Sequence, residues 1–406
     1  MRTQDKLRGD TQYAYEANGQ LLGRSAPDLA SRERFVYDAA ANLVNPEGDS
    51  HHGQIRDNRL RTWQDQRYDY DPWGNMVVRK RGAHLEQHFE YDCENRLIRA
   101  RTYRDGNLLS EGRYHYDSLG RRVAKAVEHD GTTKSTGFLW QGLRLLQERR
   151  ANGDSLYLYE PDSYAPLARV DREGDAERTY YFHTDQIGTP LDVTDEDGKP
   201  VWQATYKAWG EVEGYAAEEI EQNLRFQGQY FDAETGLHYN TFRYYDPAVG
   251  RFVGQDPIGL LGGQNLYSYS PNTLGWIDPL GWCSKALGKN LEAGGITRPV
   301  NTAAHHIVGD TAKLAAPARD ILKKHGIHVD DAVNGVFLPN RNNTDLSIPG
   351  ILHNGKHPNS YFETVNEIIT NADRMGGKEG VTKALNNIRQ KLLSASRDSN
   401  WKDIFG

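Results

Sequence analysis

Two histidines stand side by side in "NTAAHHIVGD", His305 and His306, and two more, His353 and His357, follow in "HNGKH" with three residues between them. Neutral imidazoles are good ligands for a divalent ion, and an imidazole beside such a ligand can act as a general base toward water. A second constellation is carboxylic. Asp256 opens "DPIG" and Asp278 opens "DPLG", with 18 residues between the tetrapeptides. Two carboxyl groups folded together cannot both ionise easily, so one holds a proton while the other can activate water. Asp-Pro-x-Gly is equally a good turn sequence, and both readings stay open on the residues alone. A histidine pair alone is also weak, because His51 and His52 followed by His84 and His88 repeat the same spacing. Surroundings separate the two sets. His51 and His52 lie in the polar stretch "NPEGDSHHGQIRD", whereas His305 and His306 lead into Ile307 and Val308, and "NGVFLP" from Asn334 supplies a second apolar strand before His353.

These residues need positioning elements, and the chain of 406 residues changes character near residue 283. Residues 283–406 carry 16 basic and 12 acidic side chains, a net of +4, while the remainder carries 33 and 44, a net of −11. Of 23 tyrosines only Tyr361 lies in the tail. An acidic body joined to a basic tail points to a polyanion as the partner of the tail alone. No apolar run is long enough to span a membrane, the start "MRTQDKLRGD" lacks the pattern of a signal peptide, and Cys93 and Cys283 are too few for a disulfide framework.

The body is repetitive. "YEANGQ" at Tyr15, "YDAAAN" at Tyr37, "YDPWGN" at Tyr70, "YDCENR" at Tyr91 and "YDSLGR" at Tyr116 share one frame, spaced by 22, 33, 21 and 25 residues. Each unit reads as strand, turn, strand, and the fifth position is Gly19, Gly74, Asn95 or Gly120, as a left-handed backbone requires; Ala41 breaks the rule. A hairpin of this size cannot bury its own face, so the hairpins must stack into an extended sheet.

This frame resembles the YD repeats of Rhs and insecticidal toxin-complex proteins, and residues 225–282, from "RFQGQYFDAETGLHYNTFRYYDP" to "DPLGW", resemble the Rhs-associated core. The resemblance implies a hollow β-shell, a plug acting as an aspartyl autoprotease on Asp256 and Asp278 with Arg251 as charge partner, and a cut between Trp282 and Cys283 that frees a toxin. The tail, over about residues 301–372, resembles the AHH branch of the HNH and endonuclease VII superfamily through Ala304, His305 and His306. That implies a ββα-metal nuclease with one divalent ion (Mg, Mn or Zn). His305 would be a metal ligand and His306 the general base, Asn334 would hold the base or help at the metal, and His353 and His357 would be further ligands. Pro358 disfavours a helical His357, so the following helix is expected to begin at Pro358; one of the two histidines could then contact phosphate, with His357 the favoured ligand. Lys356, Arg341 and Lys378 are candidate phosphate contacts. "VTKALNNIRQKLLSA" reads as an amphipathic helix with Val381, Leu385, Ile388 and Leu392 toward a core.

The expected fold class is multidomain: a β-rich YD-repeat shell fragment over residues 1–220, a core plug over 221–282, and a small α+β nuclease domain over 283–406. The expected function is that of an interbacterial effector, made in the producer cytoplasm, exported without a signal peptide through a type VI spike or its adaptor, neutralised at home by a cognate immunity protein, and cleaving DNA in the target-cell cytoplasm. An RNase on the same scaffold, or a non-enzymatic binding or adhesion protein, are the alternatives.

Overall fold

The computed structural model describes the chain except residues 1, 6–7, 17–18, 27–31, 45–53, 162, 260–264, 271, 276, 279–286, 288–290, 292–294, 297, 300–301, 310–311, 330, 341–342, 354–356, 402–403 and 406. The chain divides into two compact units, Met1–Cys283 and Ser284–Gly406. Among the described residues no helix is long and apolar enough to cross a membrane.

The first unit is dominated by a 15-stranded sheet that runs in sequence order from Thr62–Trp63 to Val212–Glu218. The tyrosine and aspartate of the repeat explain why neighbouring strands stack. The hydroxyls of Tyr37, Tyr91 and Tyr116 donate to the carbonyls of Leu21, Met76 and Leu97 at 2.6, 2.9 and 2.7 Å, each in the preceding hairpin. The aspartate closes the turn: Asp92 accepts from the amides of Glu94 and Arg96, both at 2.9 Å, and Asp117 accepts from Leu119 and Arg121 at 2.9 and 3.0 Å. Burial raises the Asp92 pKa, but the Arg96 amide and side chain outweigh it and hold the carboxyl below its ordinary value. Turns closed by the same backbone hydrogen bond, from the glycine amide to the carbonyl three residues earlier, occur at Asp185–Gly188, Asp195–Gly198 and Lys207–Gly210, which the tyrosine-led frame passes over because Thr184 and Thr194 precede the first two and Lys207 replaces aspartate in the third.

Ala41 obeys the geometry that its residue type resists. Its φ is 61°, and its amide donates to the Asp38 carbonyl at 3.0 Å as glycine does elsewhere. A left-handed alanine costs about 1–2 kcal/mol, offset in part by the about 0.4–1 kcal/mol of extra unfolded-chain freedom that glycine brings. Ala41→Gly is therefore expected to raise the urea midpoint of the first unit; a lowered midpoint would contradict this account of the turn.

Against the inner face of the sheet lies a four-stranded sheet of Tyr230–Asp232, Leu237–Asn240, Arg243–Asp246 and Arg251–Phe252. Tyr114, Phe138, Tyr157 and Trp202 from the long sheet share one core with Tyr230, Leu237, Tyr239 and Tyr244. Within that core the buried Arg122 pairs with the buried Asp232, which also takes Lys125 Nζ at 2.9 Å, and the guanidinium lies 4.2 Å from the Tyr239 ring centroid. Removing one partner of such a pair leaves an uncompensated buried charge, so this network fixes the core in one place on the sheet.

In the second unit, strand Thr302–His306 pairs antiparallel with Gly335–Pro339, with His305 opposite Val336 and His306 opposite Gly335. A short helix, Ala316–Lys324, and a long helical span, Asn359–Ser394, pack on this hairpin. The span begins one residue later than expected. Pro358 takes an extended ψ of 152° and caps the helix instead of joining it. Helical backbone breaks at Gly377 (φ 52°, ψ −139°), and beyond the break Val381, Leu385, Ile388 and Leu392 are all buried.

Candidate metal centre and candidate autoprotease site

Alternation along Thr302–His306 separates the two adjacent histidines. His305 is 3% exposed and faces the interior, while His306, the last residue of the strand, is half-buried on the other side. His353 reaches the same region by extending the hairpin: its amide donates to the Pro339 carbonyl at 2.8 Å, and it forms a parallel bridge with Asn340. His357 lies just ahead of the long helix. One nitrogen from each of His305, His353 and His357 lies within 4.8 Å of the others, and among the described residues this is the group of histidines, cysteines and carboxylates close enough to hold a metal ion. The non-helical link through Pro358 thus does not divide the pair, and both histidines accompany His305.

The electrostatics favour neutral rings. Burial, and then the neighbouring His357, His353 and His306, push the His305 pKa well below its ordinary value. Burial lowers that of His353, and burial with His353 nearby lowers His357 to about 4. Tyr361 sets the state of His305 further. Its single hydroxyl proton goes to the Ile307 carbonyl at 3.0 Å, so at 3.0 Å from His305 Nε2 it accepts, and the basic nitrogen of His305 is Nδ1. Among the described residues, His357 Nδ1 is buried with no hydrogen-bond partner. Three neutral imidazoles, one with an orphaned nitrogen, make a donor set that fits a divalent ion.

Asn334 does not stand at the triad. Its Oδ1 accepts from the Val308 amide at 2.8 Å, its Nδ2 donates to the carbonyls of Val308 and Val329 at 3.0 and 2.7 Å, and its own carbonyl accepts from Ile307 at 2.8 Å. Of its two expected tasks, holding the base or helping at the metal, these bonds suit the first: its side chain is spent on backbone groups and ties down the chain that leaves His306. Arg389 supports it, donating to the carbonyls of Gly335 and Val333 at 2.8 and 3.0 Å. Lys378 is exposed just past the Gly377 break, and Lys356 and Arg341 lie outside the described residues. His51 and His52 also lie outside them, while His84 and His88 pair with Asp105 and Glu86 at 2.5 and 2.7 Å.

In the first unit, Asp256 and Asp278 come together on one cation. Arg243 Nη2 lies 3.3 Å from Asp256 Oδ2 and 3.4 Å from Asp278 Oδ2, with all three side chains at most 5% exposed. Asn240 Nδ2 donates to the Asp278 carbonyl at 2.9 Å, and the Tyr269 hydroxyl accepts from the Asp278 amide at 3.3 Å. Arg251 is not the partner. It donates to the Asn58 carbonyl and lies 4.8 Å from the Tyr267 ring centroid, and burial pushes its pKa down. The correction follows from pairing: Arg243 stands opposite Asn240 in the hairpin, on the side where Asn240 holds Asp278, whereas Arg251 stands opposite Asp246. Trp282 and Cys283 lie outside the described residues.

Residues 2–265 match the Teneurin YD-shell family, and residues 286–392 match a nuclease family of the HNH/ENDO VII superfamily with conserved AHH. The chain belongs to the Teneurin YD-shell family and carries a C-terminal AHH nuclease domain. Its relatives include "Double-stranded DNA deaminase toxin A" of Burkholderia cenocepacia (strain H111), 46% identical over 71% of this chain and 22% of that one. "Toxin protein Tse5" of Pseudomonas aeruginosa is 33% identical over 68% of this chain and 26% of its own, and "Probable deoxyribonuclease RhsA" of Dickeya dadantii is 31% identical over 66% and 19%. The chain thus spans about a fifth to a quarter of these relatives' lengths. A solved structure, "Crystal Structure of TcdB2-TccC3-TEV", is similar at 18% identity over 69% of this chain and 17% of that one, with a TM-score of 0.45. The mostly β first unit and the small helix-and-strand second unit are the YD-shell fragment and the AHH domain.

Sequence reasoning missed Arg243 and Tyr361. Tyr361 had a visible signal, as the lone tyrosine of residues 283–406. Arg243, in "YNTFRYYDP", sits among several charged residues of equal promise, and only the register singles it out.

Proposed function

We propose that this chain belongs to an interbacterial Rhs effector whose tail is a metal-dependent DNase, released by aspartyl autoproteolysis between Trp282 and Cys283. The convergence of His305, His353 and His357 within 4.8 Å in an AHH nuclease domain carries the nuclease reading. A divalent ion, when bound, supplies Lewis-acid stabilisation to the oxygen that leaves a scissile phosphate. His305, His353 and His357 would hold it through imidazole nitrogens. Such a set suits Zn2+ or Mn2+ better than Mg2+, which prefers oxygen ligands. His306, next in the chain but outside that set, takes the proton from the attacking water. The basic tail binds the phosphate backbone without reading sequence, with Lys356, Arg341 and Lys378 as candidate contacts.

In the first unit, Asp256 and Asp278 share the reaction under the Arg243 guanidinium. One carboxylate takes a proton from water as it adds to the Trp282 carbonyl, and the other carboxyl gives a proton to the departing Cys283 amine. Delivery through a type VI spike or its adaptor, a cognate immunity protein in the producer and action in the target-cell cytoplasm complete the reading; the relatives named as toxins support it.

Plasmid DNA and RNA offered to the protein with and without a chelator test the activity. DNA cleavage abolished by chelator and restored by Zn2+ or Mn2+ is expected, and cleavage of RNA alone would replace DNase by RNase. A salt titration tests the mode of binding. Metal-loaded His306→Ala protein should bind DNA with a log-log slope of about −0.9 per phosphate neutralised. A flat response would remove the basis for backbone recognition.

A further inference from the structure

His305 is held by a hydrogen bond to Tyr361, but among the described residues no hydrogen bond holds the His357 ring, so whichever nitrogen faces the metal, the other lacks a protein partner. A ligand imidazole ordinarily gives its second nitrogen to a carboxylate, carbonyl or water, and this fixes the ring. Here an indole packs on His357 instead. The Trp401 ring centroid lies 4.1 Å from that of His357 at an interplanar angle of 50°, and 5.2 Å from that of His305. Trp401 is 9% exposed, and its Nε1 donates to the Leu352 carbonyl at 3.2 Å, immediately before His353. Phe405 follows on the Tyr361 ring at 5.7 Å. Arg397 anchors the segment, donating to the Asn343 carbonyl and Oδ1 at 2.7 and 2.8 Å. The match to the AHH nuclease family ends at residue 392, so Arg397, Trp401 and Phe405 all lie past it.

We propose that Trp401 is the positioning residue of His357: its indole holds the imidazole by packing in place of the missing hydrogen bond, and makes the segment after residue 392 a working part of the metal centre. The inference rests on the reading of His305, His353 and His357 as metal ligands. Ring-on-ring packing restricts rotation of the imidazole about its side-chain torsions, which are soft where no hydrogen bond fixes them. The indole also covers the triad, so polar atoms there meet less water.

Co2+ is the probe, because its d–d absorption reports ligand geometry separately from affinity. The full chain is titrated as wild type, Trp401→Ala, Trp401→Leu and Trp401→Phe, with thermal unfolding of each metal-free protein followed by circular dichroism. Trp401→Ala and Trp401→Leu are expected to weaken Co2+ binding about 10- to 100-fold and to alter the d–d bands at saturation, as loss of an outer-shell partner does. Trp401→Phe, which keeps a flat ring, should recover most of the affinity and the wild-type bands. Leu fills the space without a ring face, so an equal recovery by Leu and Phe would reduce Trp401 to filler and overturn the proposal. Wild-type affinity and bands in Trp401→Ala would overturn it too. Wild-type protein that binds no Co2+ would overturn the metal reading itself, a distinct result.

Discussion

His306→Ala should slow DNA cleavage by about 100- to 10,000-fold, the range for loss of a general base, while metal affinity stays close to wild type. The separation of the two effects follows from the strand. His305 faces the interior beside Tyr361, His353 and His357, while His306 projects from the opposite side at the strand's end. Deleting the second ring therefore leaves the three nitrogens and their supports in place, including the Asn334 hydrogen bonds that fix Ile307 and Val308. His305→Ala should do the reverse. It removes one of three ligands, leaves the Tyr361 hydroxyl without its histidine, and opens a space beside Trp401. Metal affinity and cleavage should then fall together, and added metal should recover part of the rate. Cleavage rates on plasmid DNA alongside metal titrations check both variants. If His306→Ala loses its metal as His305→Ala does, His306 is a ligand and the division of roles fails.

The sequence exposed most of the triad because metal ligation selects residue types that are rare and spaced by the hairpin they sit on. His305 and His306 adjoin in one strand, "NGVFLP" is its partner, and His353 lies just beyond that partner's end. What spacing could not give was where the long helix begins. A three-residue gap invites a helix, and Pro358 opposes one; the helix starts only at Asn359, with His357 immediately before its cap. Asn334 was found with two tasks open, and the sequence had no means of choosing between them. Its side chain is fully used by backbone groups, a demand invisible until the turn after the strand is known. In the repeats, the tyrosine and aspartate signalled the turn by side-chain hydrogen bonds, so units in which threonine or lysine takes those places escaped notice although the glycine position is kept. Ala41 shows the same turn imposed by its neighbours on a residue that resists it.

The second large effect concerns the bond from Trp282 to Cys283. If Asp256 and Asp278 act as an aspartyl pair, the 46.0 kDa chain should convert during expression into two pieces without added protease, the smaller of about 14 kDa, the share of residues 283–406, and beginning at Cys283. Opposite net charges on the two pieces, −11 and +4, favour their staying associated, so denaturing electrophoresis and not gel filtration reads the outcome. Asp278→Asn keeps the size of the side chain and removes the titrating carboxyl; it should leave one full-length band. Asp256→Asn should behave alike, because both oxygens meet the same Arg243 nitrogen and each depends on the other's charge state. Arg243→Gln separates the cation from the carboxyls. With the guanidinium gone the two buried acids repel when ionised, so cleavage should slow while an intact Asp pair remains. Arg251→Gln, by contrast, changes a residue bound to the Asn58 carbonyl and Tyr267, and should leave cleavage in place wherever the variant folds. Unimpaired cleavage in both Asp→Asn variants, or a wild type that stays whole, would sink the protease assignment. Either result would leave the nuclease reading standing, because the His305, His353 and His357 cluster uses no residue of the first unit.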